Sequence, residues 1–146
     1  MQFYKTRMIS NLGSNDAFNM DDKLIFIVDD DKVILNLLEY TFKSREGYSV
    51  KTFDSGEECL ANLHLNPDLI VLDHLFYLRG ENGMSGLETL KELRVINPDI
   101  PVIILSGQED LALIREFIRN GAVKYIPKAD YFIDVLVESV EKVVTS

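Results

Sequence analysis

The feature that most constrains this chain is a regular alternation. Five short blocks rich in Val, Ile and Leu, at Leu24–Val28, Ser49–Phe53, Leu69–Leu72, Val102–Leu105 and Val123–Ile126, are separated by segments with helical spacing. Blocks of this length and composition read as strands. Ile34, Leu37, Leu38, Thr41 and Phe42 fall on one helical face and predict a helix of about three turns. Ser55 with Glu58, and Ser85 with Glu88, have capping-box spacing, in which hydroxyl and carboxylate satisfy free amides at a helix start. Asn97-Pro98 should end the third helix, Gly121 should cap the fourth in a left-handed conformation, and Asp130 is expected to cap a last helix bearing Phe132, Ile133, Leu136, Val140 and Val143. Strands that are apolar on both faces, alternating with helices, imply a parallel sheet covered on both sides, because right-handed crossovers place the helices there. The expected fold is a small doubly wound α/β domain.

Composition narrows the function. A chain of 146 residues, 47% hydrophobic and 27% charged, is one ordinary domain with a continuous core. Residues 1–23 are polar and without period and are expected to form a flexible extension; residues 24–144 form the domain. Fifteen Lys and Arg against 24 Asp and Glu give a net charge of −9, which disfavours direct nucleic-acid binding because no basic stripe is present to displace phosphate counterions. The single Cys59 can make neither an internal disulfide nor a thiolate metal cage, and it lies with Leu60 and Leu63 on an apolar face. No apolar run is long enough for a membrane span and the start lacks a secretory core, so a cytoplasmic location is expected.

In doubly wound sheets ligands bind beyond the carboxyl ends of the strands. The first block runs into Asp29, Asp30 and Asp31. One aspartate suffices to cap a helix, and Asp31 suits that task; adjacent anions repel unless a cation neutralises them, and Mg²⁺ accepts a few carboxylates while keeping water. The third block ends in Asp73, the fourth in Ser106, and Lys128 follows the fifth. A nucleophilic carboxylate, a hydroxyl and an ammonium brought to one sheet edge beside a divalent cation are what phosphoryl transfer to a carboxylate requires.

The segments IFIVDDD, PDLIVLD, PVIILSG and KYIPK, in that order, resemble the receiver domain of two-component response regulators across about residues 24–144. The resemblance implies a flavodoxin-like five-stranded parallel sheet of order 2-1-3-4-5 with helices on both faces. It also implies an aspartyl phosphate formed, with Mg²⁺ bound, from the phosphohistidine of a sensor histidine kinase or phosphotransfer protein. Carried over by position, Asp29 and Asp30 resemble the acidic pair, Asp30 as the more direct metal ligand. Asp73 resembles the phosphoacceptor and a further ligand, with the backbone carbonyl of Leu75 completing the metal set. Ser106 resembles the switch hydroxyl, Tyr125 the coupled switch aromatic, and Lys128 the family's lysine.

Three features depart from the family pattern. The loop HLFYLRGENGMSG after Asp73 is long and lacks the usual proline. Ala129 rather than proline follows Lys128, so a trans peptide is expected there, since a cis bond before a non-proline residue costs about 2.5–4 kcal/mol. Leu75 and Gln108 occupy the positions that modulate hydrolysis, and Leu75 is expected to hinder the attacking water. His74 and His64 are read as structural.

Two rival readings remain at this point. IFIVDDDKV also resembles the first motif of haloacid-dehalogenase-type phosphatases, with Asp29 as nucleophile and Asp31 as acid/base. A degenerate receiver that only binds a partner is the other. Only one helix is expected after Lys128, so the domain should signal through a surface, repacked on phosphorylation and formed by helix 109–120, strand 123–126 and helix 130–144. That face would meet an unknown downstream protein or a second copy. The domain would catalyse its own phosphorylation and dephosphorylation without turning over an external substrate.

Overall fold

The computed structural model describes residues 21–73, 83–107 and 110–146. The elements run β1 (Lys23–Val28), α1 (Lys32–Lys43), β2 (Tyr48–Phe53), α2 (Gly56–Ala61), β3 (Leu69–Asp73), α3 (Gly86–Ile96), β4 (Val102–Ser106), α4 (Leu111–Arg119), β5 (Lys124–Pro127) and α5 (Phe132–Thr145), with a 3₁₀ turn at Leu63–Leu65 after α2. All strand pairings are parallel and the sheet order is β2-β1-β3-β4-β5, as expected for the doubly wound fold. Among the described residues no helix is long and apolar enough to cross a membrane.

Strand side chains alternate between faces, so each central strand feeds two cores. Phe26, Val28, Ile70, Leu72, Val102 and Ile104 pack with Cys59, Leu90, Leu93 and Phe117, under α2, α3 and α4. Ile25, Ile27, Leu69, Val71, Ile103 and Leu105 pack with Leu38, Phe42, Leu136 and Val140, under α1 and α5. This double burial is why these strands read as unbroken apolar runs. The edge strand β2, buried only at Val50 and Phe53, reads as mixed. Phe26 and Phe53 meet edge to face at 4.8 Å, and each fully buried side chain of this size contributes about 1.5–3 kcal/mol.

Several local expectations hold. Asp31 caps α1, accepting from the Val33 and Ile34 amides. Ser55 and Ser85 accept from the amides of Glu58 and Glu88. Gly121, at φ +95, closes α4 in a Schellman motif, with Gly121 N–H donating to Ile118 and Ala122 N–H to Phe117. Cys59 is buried in the core and burial pushes its thiol up to about 12.

Two expectations are corrected. Leu37 is not in the core of α1; it is 42% exposed, while Leu35, Leu38 and Phe42 are buried. At 100° per residue the buried stripe is centred on Leu38, and Leu37 lies just beyond its edge. Asp130 does not cap α5. The N-cap is Tyr131, in the left-handed region at φ +64 and without a side-chain cap, and the Phe132 amide donates instead to the Ala129 carbonyl. The strands also extend slightly past their apolar blocks, and β5 sits one residue later than its block because Val123, half-exposed, belongs to the preceding turn.

Candidate functional site

Parallel pairing brings every carboxyl-terminal strand end to one edge. Val28 lies opposite Leu72, Asp73 opposite Leu105, and Ser106 opposite Pro127, so Asp29, Asp73, Ser106 and Lys128 occupy successive places along that edge. Two backbone bonds hold the edge together: Asp29 N–H donates to the Phe53 carbonyl at 3.1 Å and Lys128 N–H to the Ser106 carbonyl at 2.7 Å. Helices follow β1 and precede β3 on opposite faces, and order reverses between β1 and β3, which is where such sheets open a crevice.

At the centre, Lys128 Nζ donates to Asp73 Oδ2 and lies 3.5 Å from Asp29 Oδ2. Asp29 and Asp73 are each 1% exposed and Ser106 is fully buried. Asp29 Oδ1 accepts from the Asp31 amide at 2.9 Å, but Asp29 Oδ2 is buried without a hydrogen bond. Burial, together with the adjoining Asp73 carboxylate, pushes the Asp29 carboxyl up from 3.8 to about 8, against the pull of the Asp31 amide and Lys128. Burial works against the Lys128 ammonium, yet the hydrogen bond and charge of Asp73, then Asp29, hold its pKa above the ordinary lysine value.

The centre is flanked by two clefts. One, of about 320 Å³, is lined by Ser106, Gly107, Pro127, Lys128 and Ala129; the other, of about 540 Å³, by Asp30, Asp31, Lys32, Val33 and Asp54. Asp30 lines the cleft beside the Asp29–Asp73–Lys128 group, and among the described residues no three acidic, His or Cys side chains converge on one metal position. Asp54 joins this edge without being among the residues the motifs mark; its sequence signal is its place immediately after the second strand. The Leu75 carbonyl, His74 and Gln108 lie outside the described residues, as does most of the amino-terminal extension. The peptide between Lys128 and Ala129 is trans, as expected. Tyr125 packs its ring 6.0 Å from that of Phe117 and, with Leu111, Ile114 and Pro127, lines a groove of about 410 Å³ beside α4.

The donor set fits a hard divalent cation. Two buried carboxylates share one ammonium, and Asp29 Oδ2, ion-paired at 3.5 Å but without a hydrogen bond, leaves negative charge that a cation would neutralise. Asp29 and Asp73 would supply two ligands, with Asp30 within the adjoining cleft; Lys128 and Ser106 offer donors on the other side for the oxygens of an anion.

The chain is similar to known proteins. The chain is 33% identical to the DNA-binding transcriptional regulator NtrC of Salmonella typhimurium over 127 residues, 86% of this chain and 26% of that protein. It is 34% identical to the sporulation initiation phosphotransferase F of Bacillus subtilis over 124 residues, 84% of this chain and 94% of that one. The chain thus spans about a quarter of the length of NtrC and nearly all of the shorter relative. Among solved structures it resembles the receiver domain of the Francisella response regulator 1452, with a TM-score of 0.73, 28% identity, and 85% and 98% of the two chains covered. Residues 25–141 match the family model for the response regulator receiver domain, and with the sheet order and the acidic strand edge this places the chain in that family.

Proposed function

We propose that this receiver domain accepts a phosphoryl group on Asp73 from the phosphohistidine of a histidine kinase or phosphotransfer protein, and signals through a surface that the modification repacks. Receiver domains interact with such donors and generally bind Mg²⁺ at the phosphorylation site. The observation that carries the reading is the buried pair Asp29 and Asp73 sharing the single ammonium of Lys128, with Asp29 Oδ2 ion-paired at 3.5 Å but without a hydrogen bond.

In the proposed reaction an oxygen of Asp73 attacks phosphorus as the phosphorus–nitrogen bond to the imidazole breaks, and the nitrogen takes the electron pair. Asp29 and Asp73 would hold Mg²⁺, with Asp30 in the adjoining cleft, and the bound cation would neutralise charge on the phosphoryl oxygens. Lys128, kept protonated by the two carboxylates, transfers its hydrogen bond from Asp73 Oδ2 to a phosphoryl oxygen. Ser106 donates its hydroxyl to another, and Tyr125 follows it inward over Phe117. The face of α4, β5 and α5, where Leu111 is 67% exposed and Ile118 and Val135 are also exposed, is the proposed output surface toward a downstream protein or a second copy. Residues 24–144 are the proposed functional unit.

Asp31, the acid/base of the phosphatase alternative, is engaged as the α1 cap, which disfavours that chemistry. The test is intact-protein mass after incubation with a small acyl-phosphate donor, with and without Mg²⁺, for wild type, Asp73→Asn and Asp29→Asn. The expected result is a Mg²⁺-dependent phosphoryl adduct lost in Asp73→Asn. An adduct or donor turnover that survives Asp73→Asn and dies in Asp29→Asn would overturn the assignment in favour of the phosphatase, and no adduct at all would leave a partner-binding module.

A further inference from the structure

Among the described residues the two ends of α4 are held differently: the first turn by its own cap, Asp110 accepting from the Ala112 and Leu113 amides, the last turn by other elements. Its amino-terminal end follows Ser106 and Gly107 and overlies the groove lined by Leu111, Ile114, Tyr125 and Pro127, with Leu111 mostly in solvent. The buried side chain of α4 is Phe117, in its last turn. Beyond Phe117 comes the Schellman closure at Gly121, and there Arg94, from the last turn of α3, reaches across. Its Nη1 donates to the Ile100 carbonyl at 2.7 Å and the Asn97 carbonyl at 3.4 Å, its Nη2 to Gly121 at 2.9 Å, and its Nε to Asn120 at 3.3 Å.

One guanidinium thus joins the end of α3, the connection into β4 and the end of α4. Carbonyls at helix ends lack intrahelical donors and carry the negative end of the helix dipole, so a planar cation with several donors suits this place and a lysine does not replace it. The glycine beside it suits a φ of +95, and a Cβ there would lie 2.6 Å from Arg94 Nε, so the guanidinium would have to shift.

We infer that Arg94 is a positioning residue that pins the far end of α4 to α3 and the connection into β4, so that a displacement imposed at Ser106 turns α4 about Gly121 instead of sliding or fraying it. This rests on the switch reading of Ser106. A helix is stiff along its length, so with one end fixed the displacement is expressed at the other end, over the groove beside Tyr125. The clamp also joins the helix leading from Asp73 to the helix leading from Ser106, at the edge opposite the site.

The test uses the full chain, ¹⁵N-labelled, titrated with Mg²⁺ and beryllofluoride as a phosphoryl mimic. In wild type, amide shift changes should be large at Leu111–Glu116 and fall off toward Ile118–Ala122. In Arg94→Met the changes at Ile118–Ala122 should rise to match, and exchange of those amides should accelerate about tenfold, the equivalent of roughly one net hydrogen bond. Arg94→Lys, which keeps the charge and is the safer variant for folding, should fall between. If Arg94→Met and Arg94→Lys lower the urea midpoint but keep the wild-type gradient along α4, Arg94 only stabilises and the inference is overturned. Shifts absent at Ser106 as well would overturn the switch reading and the clamp with it, whereas shifts at Ser106 with an unchanged gradient overturn the clamp alone.

Discussion

Replacing Asp29 by Asn should stabilise the metal-free protein, and the size of the gain should depend on pH. Asp29 is 1% exposed and its carboxyl is raised from 3.8 to about 8, first by burial and then by Asp73. A carboxyl raised on folding contributes stability that is fully present below pH 3.8 and is lost as pH rises through about 8. About three pH units separate 3.8 from neutrality, and at ~1.4 kcal/mol each the ceiling is roughly 4 kcal/mol at pH 7. Asn keeps an oxygen for the Asp31 amide and removes the titration, so Asp29→Asn should match wild type near pH 4 and exceed it by an increasing margin toward pH 8. Urea unfolding in chelator at several pH values reads this directly. Added Mg²⁺ should recover stability in wild type and far less in the variant. A difference between the two proteins that is constant across the pH range would refute the reasoning, because no buried titration would then distinguish them.

The remaining predictions concern single positions. Gly121→Ala should cost about 1–2 kcal/mol in urea unfolding, from its left-handed backbone, and displace the Arg94 guanidinium; a loss within ±0.5 kcal/mol would contradict the geometry. Tyr131→Gly should be neutral to stabilising by up to about 1 kcal/mol, since an exposed tyrosine at φ +64 gives up strain and little packing. Asp31→Ala should lose about 1 kcal/mol through the α1 cap, with the change in melting temperature as readout. Cys59, buried with its thiol raised to about 12, should resist thiol reagents in the native protein and react at full stoichiometry in denaturant; rapid native labelling would disprove its burial.

Some of the site was readable because its determinants are local and one-dimensional. Asp29, Asp73, Ser106 and Lys128 each stand at the end of an apolar block, and parallel pairing must carry all such ends to one edge. Asp31 and the two serine caps were readable for the same reason, each needing only the amides two or three residues on. What the sequence alone places wrongly depends on packing. Leu37 is as apolar as Leu38, and only the angle at which α1 lies on the sheet leaves one outside. Asp130 is a good capping residue by type, but the chain leaves Lys128 through Tyr131 in a left-handed turn and gives the first amide to Ala129.

The sequence by itself determined the alternation of elements, the double-faced burial of the central strands and the strand-end addresses of the chemical groups, because each follows from residue period and chain direction. Only the tertiary structure decided how those groups share charge and which distant segments are tied together. Asp29 is brought against Asp73 and Lys128, while its neighbour Asp30 lines a cleft with Asp54; Arg94 is carried to carbonyls 26 and 27 residues away. Electrostatic coupling and hydrogen bonding act through distances of a few ångströms in space, and no periodicity along the chain encodes those.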